Sequence, residues 1–432
     1  MSIDKVYNLG IKLFPICRSI TGEGVRETLF LIKKYIPKLK IFEVPSGTKV
    51  FDWKIPSEWN VKNAYVLDKF GKKIIDFKKN NLHLVSYSAP VNKKIKKKEF
   101  FSHLHSLPKQ PTAIPYVTSY YKKYWGFCIS YKEKKIFEKK YKSNDEFKII
   151  IDSSLDKKGS LTYAELIVPG KSKKEIFISC DVCHPSMANN ELSGLLVSAA
   201  LAKYFLSTKL NPKTLRFVFI PETIGSITYL SKNLKKLKKN VIAGYNLSCI
   251  GDNREYSYLS TKYGNTISDK AAIKAFKDLK IKYVGYSFLQ RGSDERQYNS
   301  PGIDLPIASI FRTKHGEYPE YHTSLDNFNV VTKKGLMGGY KIVKKAIDII
   351  MKNYIPKSTF LCEPQMSKRG LYPSLSKFVR SNYNLPTRHL LNFLQYADGT
   401  NDLNDISNYT RSSFDRTHKI FKLMLKSKLI KL

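Results

Sequence analysis

The segment Cys180-Asp-Val-Cys-His-Pro-Ser-Met-Ala-Asn-Asn-Glu-Leu-Ser-Gly194 places metal-binding side chains directly after an apolar run, Glu175-Ile-Phe-Ile-Ser-Cys180. Three functional interpretations fit this pattern. They are a c-type haem attachment site, a redox or zinc Cys-x-x-Cys pair, and a metal site at a strand end in a hydrolase. The two thiols also fit a purely structural interpretation, in which buried cysteines end a core strand.

Length and cysteine usage narrow these alternatives. The chain has 432 residues, of which 42% are hydrophobic, enough for a large core and about two to four domains. It contains no apolar run long enough to span a membrane, and its start has no export signal, so we expect a cytoplasmic protein without a membrane span. Its six cysteines are sparse and are expected to be reduced, which disfavours covalent haem.

The local sequence disfavours a thioredoxin-like pair. Such a pair needs its first thiol at a helix N-terminus, but Pro185 follows His184 and the better helix start lies near Asn190. A structural zinc site would need a second closely spaced pair of ligands, and none follows. A strand-end metal site and two buried core cysteines remain as alternatives.

The net charge of +39 comes from 75 Lys and Arg against 36 Asp and Glu. Lysines provide most of the excess and are distributed from Lys5 to Lys431. We therefore interpret the charge as a solvated lysine surface rather than as a nucleic-acid site, although such a field attracts polyanions without specificity.

The distribution of residue types along the sequence predicts one domain that is interrupted by another. Residues 1–44 are helical, and residues 45–157 contain short aromatic and β-branched runs typical of a β-rich module. After residue 158, strand and helix patterns alternate, which predicts an α/β domain with a mixed, mainly parallel sheet.

Ligands bind at the carboxyl ends of the strands in such sheets, and several strand or loop ends here carry imidazole or carboxylate groups. Nitrogen and oxygen donors of this kind suit Zn²⁺, which activates water when one coordination position stays open. The residues concerned are Asp181, His184, Glu191, Glu222, Asp252, Asp294 and His322.

Residues 1–44 and 158–356 resemble the zinc aminopeptidase superfamily. The matching motifs are Ala188-Asn-Asn-Glu-Leu-Ser-Gly194, Glu222-Thr-Ile-Gly225, Asn246-Leu-Ser-Cys-Ile-Gly251, Ser293-Asp294 and Tyr321-His-Thr-Ser-Leu-Asp326. The whole chain is similar to bacterial aminopeptidase-like domain proteins encoded at polysaccharide-biosynthesis or flagellin-glycosylation loci. This resemblance implies a three-layer zinc-exopeptidase-like α/β core (1–44 plus 158–356), an inserted β-rich domain (45–157) and a C-terminal winged-helix domain (365–432).

The chain departs from the superfamily pattern at several ligand positions, which are occupied by Asp181, Asn190, Thr223 and Ser248. The resemblance therefore implies one divalent ion, zinc, rather than two.

The matching positions imply that His184, Glu191 and His322 are the metal ligands. They also imply that Glu222 is the base that deprotonates water. Asp252 and Asp294 are predicted as further ligands or as partners that orient an imidazole.

Four arginines are candidates for binding a substrate carboxylate or phosphate through two hydrogen bonds. They are Arg18, Arg291, Arg296 and Arg312.

The sequence supports two classes of function. One is a metal-dependent amidase or aminopeptidase-like hydrolase that acts on a small molecule or on a peptide or glycan conjugate in cell-surface glycan assembly. The other is a non-catalytic ligand-binding or regulatory protein. The C-terminal domain suits contacts with protein more than with nucleic acid, and assembly into a homo-oligomer stays open.

Overall fold

The computed structural model describes residues 2–208, 211–372 and 386–432. The described helices are α1 (Ile3–Leu13), α2 (Glu23–Tyr35), α3 (Lys97–Ser102), α4 (Tyr131–Lys140), α5 (Ser193–Ser207), α6 (Ile224–Asn240), α7 (Ile267–Asp278), α8 (Glu295–Tyr298), α9 (Lys333–Lys352), α10 (Pro386–Tyr396), α11 (Leu403–Tyr409) and α12 (Phe414–Lys426). The described strands are β1 (Lys40–Pro45), β2 (Lys49–Val50), β3 (Trp53–Lys54), β4 (Glu58–Leu67), β5 (Lys73–Asp76), β6 (Val91–Lys96), β7 (Leu104–His105), β8 (Phe127–Cys128), β9 (Glu146–Asp156), β10 (Ser160–Val168), β11 (Gly170–Asp181), β12 (Asn211–Ile220), β13 (Val241–Leu247), β14 (Ser257–Leu259), β15 (Val284–Tyr286), β16 (Ile307–Phe311), β17 (Lys357–Ser358) and β18 (Ile430–Lys431).

A large mixed sheet organises the first part of the chain. Its strand order is β1-β10-β12-β11-β13-β16-β14-β15. The central strands β12, β11, β13 and β16 run parallel, whereas β10 is antiparallel to β12 and β14 is antiparallel to β16. The predicted α/β class with a mixed sheet is confirmed.

Burial explains why the central strands read as apolar runs. The last seven residues of β11 and of β12 are all buried, as expected for strands covered on both faces. Helix α5 connects β11 to β12 and helix α6 connects β12 to β13. These crossovers bring the carboxyl ends of the parallel strands to one edge of the sheet.

A second sheet, of order β5-β4-β9-β6, is antiparallel and lies within the region predicted to be β-rich. Its buried Trp59 and Phe147 belong to the same hydrophobic cluster as Phe177 and Ile220 of the large sheet. Residues 1–266 and 283–341 accordingly form one compact unit. The proposed domain boundaries at residues 44 and 157 stay a prediction.

Residues 267–282 and 342–432 form the second compact unit. It contains helices α10, α11 and α12, and its strands β17 and β18 pair antiparallel. Phe421 of α12 stacks on Tyr354 with ring centroids 5.0 Å apart, and the side chain of Asp402 caps α11. The predicted winged helix is confirmed, while residues 373–385 of the predicted domain lie outside the described residues.

Helix length and hydropathy bear on membrane insertion. In the described part of the chain, no helix combines the length and the apolar character that crossing a membrane requires.

Candidate metal centre

The site lies where β11 and β12 end. The loop after β11 carries His184 and leads into a π-helical turn, Ala188–Leu192, that contains Glu191. Glu222 follows β12 by two residues. Turns of this π type occur frequently at functional sites. The sheet topology thus brings together three residues that the sequence predicted as site residues.

His184 is buried and contacts carboxylates through both of its ring nitrogens. Nδ1 is 2.9 Å from Glu191 Oε2, and Nε2 is 3.7 Å from Glu222 Oε2. The other oxygen of Glu191 accepts a hydrogen bond from the backbone N–H of Cys183. Burial lowers the pKa of His184, but the hydrogen bond and charge of Glu191, together with Glu222, outweigh it and raise the pKa above its usual value.

Glu222 is the more accessible of the two carboxylates that contact His184. Its side chain is 21% exposed, whereas that of Glu191 is fully buried. Burial raises the pKa of Glu222, and the charges of His184 and Arg296 oppose that shift. A partly exposed carboxylate with a raised pKa is suited to accept a proton near neutral pH.

His322 lies near His184, with ring centroids 5.4 Å apart. Its ring stacks on Tyr321 at 3.9 Å, and its backbone has a φ of 56°. Nε2 is buried and has no hydrogen-bond partner among the described residues. Burial lowers the pKa of His322 to about 3, with help from the charge of His184, so the ring is neutral and offers a lone pair.

Two more buried carboxylates add negative charge. Asp181 Oδ2 accepts a hydrogen bond from Ser293, and Asp294 Oδ1 accepts bonds from the N–H of Thr223 and from Ser226. Within the part of the chain that the structure describes, the remaining oxygen of each carboxylate has no hydrogen-bond partner. Burial and the charge of Glu222 raise the pKa of Asp294 to about 7. Burial and the charge of Asp294 raise the pKa of Asp181 well above its usual range.

Asp326 fixes the turn that carries Glu191. Its carboxylate accepts hydrogen bonds from the backbone N–H groups of Asn189 and Asn190, at 2.6 and 2.9 Å. The loop that contains His322 is therefore tied directly to the turn that contains Glu191.

Asp252 belongs to a different network. It accepts hydrogen bonds from Asn189, Arg254 and Thr313, and these account for both of its oxygens. This network joins the loop after β13 to Asn189, in the turn that carries Glu191, and His184 is not among these hydrogen-bond partners.

The predicted arginines divide into two pairs. Arg18 donates to the carbonyl of His184 at 3.0 Å, and Arg296 donates to Thr223 at 2.6 Å with Glu222 3.8 Å away. Arg291 instead lies over Phe288, and Arg312 lies over the ring of Tyr256. Of these four arginines, Arg18 contacts His184 and Arg296 contacts Glu222, so these two belong to the site.

A pocket of about 210 Å³ opens beside His184 and Glu222. Cys183, His184 and Glu222 line it on the side of the large sheet, and Trp53 and Tyr121 line it from the region predicted as the insertion. A substrate group of about one ring or one side chain fits such a volume, which is below the about 300–1,000 Å³ of pockets for drug-sized ligands.

Cys183 is the site residue that sequence reasoning missed. Its Sγ is 3.4 Å from Nδ1 of His184, and it lines the pocket. The adjacency of Cys183 to His184 was the available signal, but the thiol matched the composition of a buried strand end equally well.

The family described as Domain of unknown function (DUF4910) matches residues 7–353, and a winged helix-turn-helix family matches residues 354–432. The chain belongs to the DUF4910 family. It is 43% identical over 434 residues to a Clostridium acetobutylicum protein named as a polysaccharide biosynthesis protein with aminopeptidase-like domain, covering 99% of this chain and 96% of that protein.

Solved structures support the same fold. A crystal structure described as a peptidase from Clostridium acetobutylicum has a TM-score of 0.89 at 41% identity, with 100% of this chain and 96% of that chain covered. The zinc aminopeptidase BSAP from Bacillus subtilis has a TM-score of 0.59 at 14% identity, with 80% and 94% covered. A peptidase M28 precursor from Shewanella amazonensis has a TM-score of 0.54 at 11% identity, with 79% and 91% covered. This DUF4910 chain therefore has an M28 aminopeptidase-like fold with a C-terminal winged helix.

Proposed function

We propose that this protein is a zinc-dependent amide hydrolase that binds one metal ion and acts on an amide-bearing intermediate of cell-surface glycan assembly. The single observation that carries the proposal is His184, held by Glu191 on one ring nitrogen and facing Glu222 on the other, at the floor of a pocket. The name of the relative supports the glycan link. The peptidase-like fold supports hydrolysis of an amide.

The donor set fits zinc. Nitrogen and carboxylate oxygen are ordinary zinc ligands, and the ion would replace the proton between His184 and Glu191. The ring centroids of His184 and His322 are 5.4 Å apart, but the donor atoms of His184, Glu191 and His322 do not all lie within 4.8 Å of one another, so the ring of His322 would move closer when it binds the ion. We therefore propose His184, Glu191 and His322 as the ligands.

Charge balance also supports a bound cation. Asp181 and Asp294 each keep a buried oxygen without a partner, and burying uncompensated carboxylates is costly. A divalent cation nearby would offset this cost. Burial first, and then the charge of a neighbouring carboxylate, raises the pKa of both groups.

A bound zinc ion would supply Lewis acidity, polarising an amide carbonyl and acidifying water. The protein's own groups would perform the remaining work. Glu222 would accept the proton from the attacking water and pass it to the leaving amine. Arg296, 3.8 Å from Glu222, would stabilise that carboxylate while it is ionised, and Arg18 would fix the backbone of His184.

The test combines metal content with turnover. We expect Glu222→Gln to keep its zinc and to lose activity by about 10²–10⁴-fold on amide substrates, such as aminoacyl anilides and N-acylated hexosamines. His184→Ala should lose both zinc and activity. Glu320→Gln, which alters a surface carboxylate paired with Arg254, is the matched control and should change neither.

A second function, ligand binding without catalysis, is favoured by one observation. Thr223 stands where the superfamily pattern has a second glutamate, and it accepts a hydrogen bond from the guanidinium of Arg296. A positive group thus lies beside Glu222. Stoichiometric zinc without turnover on any amide substrate would favour this second function.

A further inference from the structure

We propose that Cys183 is an additional ligand of the same ion, so that the site offers sulfur, nitrogen and oxygen donors. This inference rests on the proposed zinc site, but it adds a residue that neither the resemblance nor the comparisons assign. It turns the thiol at the end of β11 from a core residue into a metal-binding residue.

Interatomic distances support the assignment. Cys183 Sγ is 3.4 Å from His184 Nδ1. Two ligands with Zn–S of about 2.3 Å and Zn–N of about 2.0 Å are about 3.5 Å apart at a tetrahedral angle. Cys183, His184 and Glu191 each place a donor atom within 4.8 Å of the others, and in the described residues they are the one group of three that does so.

One backbone contact of the sulfur suits a metal ligand, whereas burial and the charge of Glu191 raise the pKa of the Cys183 thiol in the absence of an ion. The backbone N–H of Glu222 donates to Cys183 Sγ at 3.3 Å. Hydrogen bonds of this kind to a ligand atom fix its position and stabilise its charged form. Cys180, three residues earlier, provides a contrast, because its Sγ donates to the carbonyl of Val218, at 3.9 Å, and it does not belong to this group of donor atoms.

A thiolate ligand would set metal preference. Sulfur donors favour zinc and similar ions over Mg²⁺ and Mn²⁺, which prefer oxygen. Cys183 would thereby compensate for Asn190 and Ser248, which occupy ligand positions of two-zinc aminopeptidases but carry no charge.

The test uses Co²⁺ as a spectroscopic replacement for zinc in the full-length protein. We expect wild type to bind one Co²⁺ with a near-ultraviolet thiolate-to-cobalt charge-transfer band. Cys183→Ser should lose that band and should weaken Zn²⁺ binding by more than the about 10–100-fold that loss of an outer partner costs. Cys180→Ser is the matched control and should keep the band.

A second measurement, on the wild-type protein, tests the inference even if Cys183→Ser does not fold. In wild type, Zn²⁺ should protect Cys183 from alkylation by iodoacetamide, as read by peptide mass spectrometry, while the exposed Cys362 reacts equally with and without zinc. Cobalt bound without the band, or equal alkylation of Cys183 with and without zinc, would overturn the inference alone. Absence of any bound Co²⁺ or Zn²⁺ would overturn the proposed function as well.

Discussion

Glu191 contacts the two neighbours that matter most for the site, the backbone of Cys183 and the ring of His184. Its side chain is fully buried, so both carboxylate oxygens depend on these protein contacts or on an ion. Glu222, by contrast, reaches the pocket. The structure thus separates a holding carboxylate from a reacting one, although both follow strands of the same sheet.

This separation predicts different results for two conservative changes. Glu191→Gln removes the charge that faces His184. Because Glu191 is a proposed ligand, we expect zinc affinity to fall by about 100-fold or more, at least as much as the largest effect of losing an outer partner. Glu222→Gln should leave affinity within a few-fold of wild type. Competition with a fluorescent zinc chelator measures both, and equal affinities for the two variants would contradict the assigned roles.

His418 in the second compact unit gives a prediction about pH. Its ring lies between Phe414 and Phe421, and burial together with Lys422 lowers its pKa from 6.5 to about 4. The folded state therefore binds fewer protons than the unfolded state between these values. The free energy of unfolding should be highest above pH 6.5 and should decrease as the pH drops towards 4.

The measurement is the urea midpoint of the transition of this unit against pH. The loss should not exceed about 2 kcal/mol, because solvent near the ring screens part of the effect. His418→Gln should flatten the dependence in this window. A variant whose slope equals that of wild type would show that another group titrates.

The sequence predicted four site residues that the structure places near one another, and their roles as ligands and base stay a prediction. His184, Glu191, Glu222 and His322 followed from chemistry at strand ends and from motif resemblance, and the structure places them together. Cys183 could not be predicted, because a thiol at a strand end is also an ordinary core residue. The side-chain directions of arginines were equally hidden, since they depend on contacts distant in sequence.

At the scale of elements, the start of α5 approaches the end of β13 closely. A Cβ built at Gly194 would lie 2.0 Å from the carbonyl oxygen of Leu247. Backbone atoms on the facing strand cannot move aside as a flexible side chain can. Because Gly194 has no side chain, the turn containing Glu191 can lie against the sheet.

Gly194→Ala should therefore destabilise the protein by about 1–3 kcal/mol, the usual cost of overpacking, and should weaken zinc binding through the neighbouring turn. Chemical denaturation and chelator competition measure the two effects. Gly71→Ala is not a clean control, because Gly71 has a φ of 77°. Gly285→Ala is better, because its nearest atom is 3.9 Å away in a side chain, and it should change neither quantity.

Arg216 connects three adjacent strands. Its guanidinium donates to Glu175 at 2.6 Å and contacts Glu165 and Tyr229, and its side chain is 1% exposed. The apolar pattern of β12 predicted a buried strand but gave no sign that an arginine inside it would be paired across the sheet. Such pairing becomes visible only with the strand order.

Arg216→Ala should destabilise the first compact unit by about 3–5 kcal/mol, because it leaves Glu175 buried and unpaired. Arg254→Ala breaks an exposed pair with Glu320 and should cost less than about 1 kcal/mol. Urea unfolding compares the two variants. Similar losses would contradict the importance of burial.

At the scale of the whole molecule, sequence patterns predicted the architecture. Alternating strand and helix patterns after residue 158 predicted the mixed sheet, and the resemblance of the whole chain predicted the winged helix. The antiparallel pairing of β1 with β10 was not predictable, because it joins segments more than 100 residues apart in the sequence.

The measurement that tests the central claim most directly is metal stoichiometry. Full-length protein would be incubated with zinc, dialysed against metal-free buffer and analysed for zinc and protein by mass spectrometry. We predict one zinc ion per chain in wild type and Glu222→Gln, and none in His184→Ala. Wild type that retains no zinc, or His184→Ala that retains as much as wild type, would contradict the account.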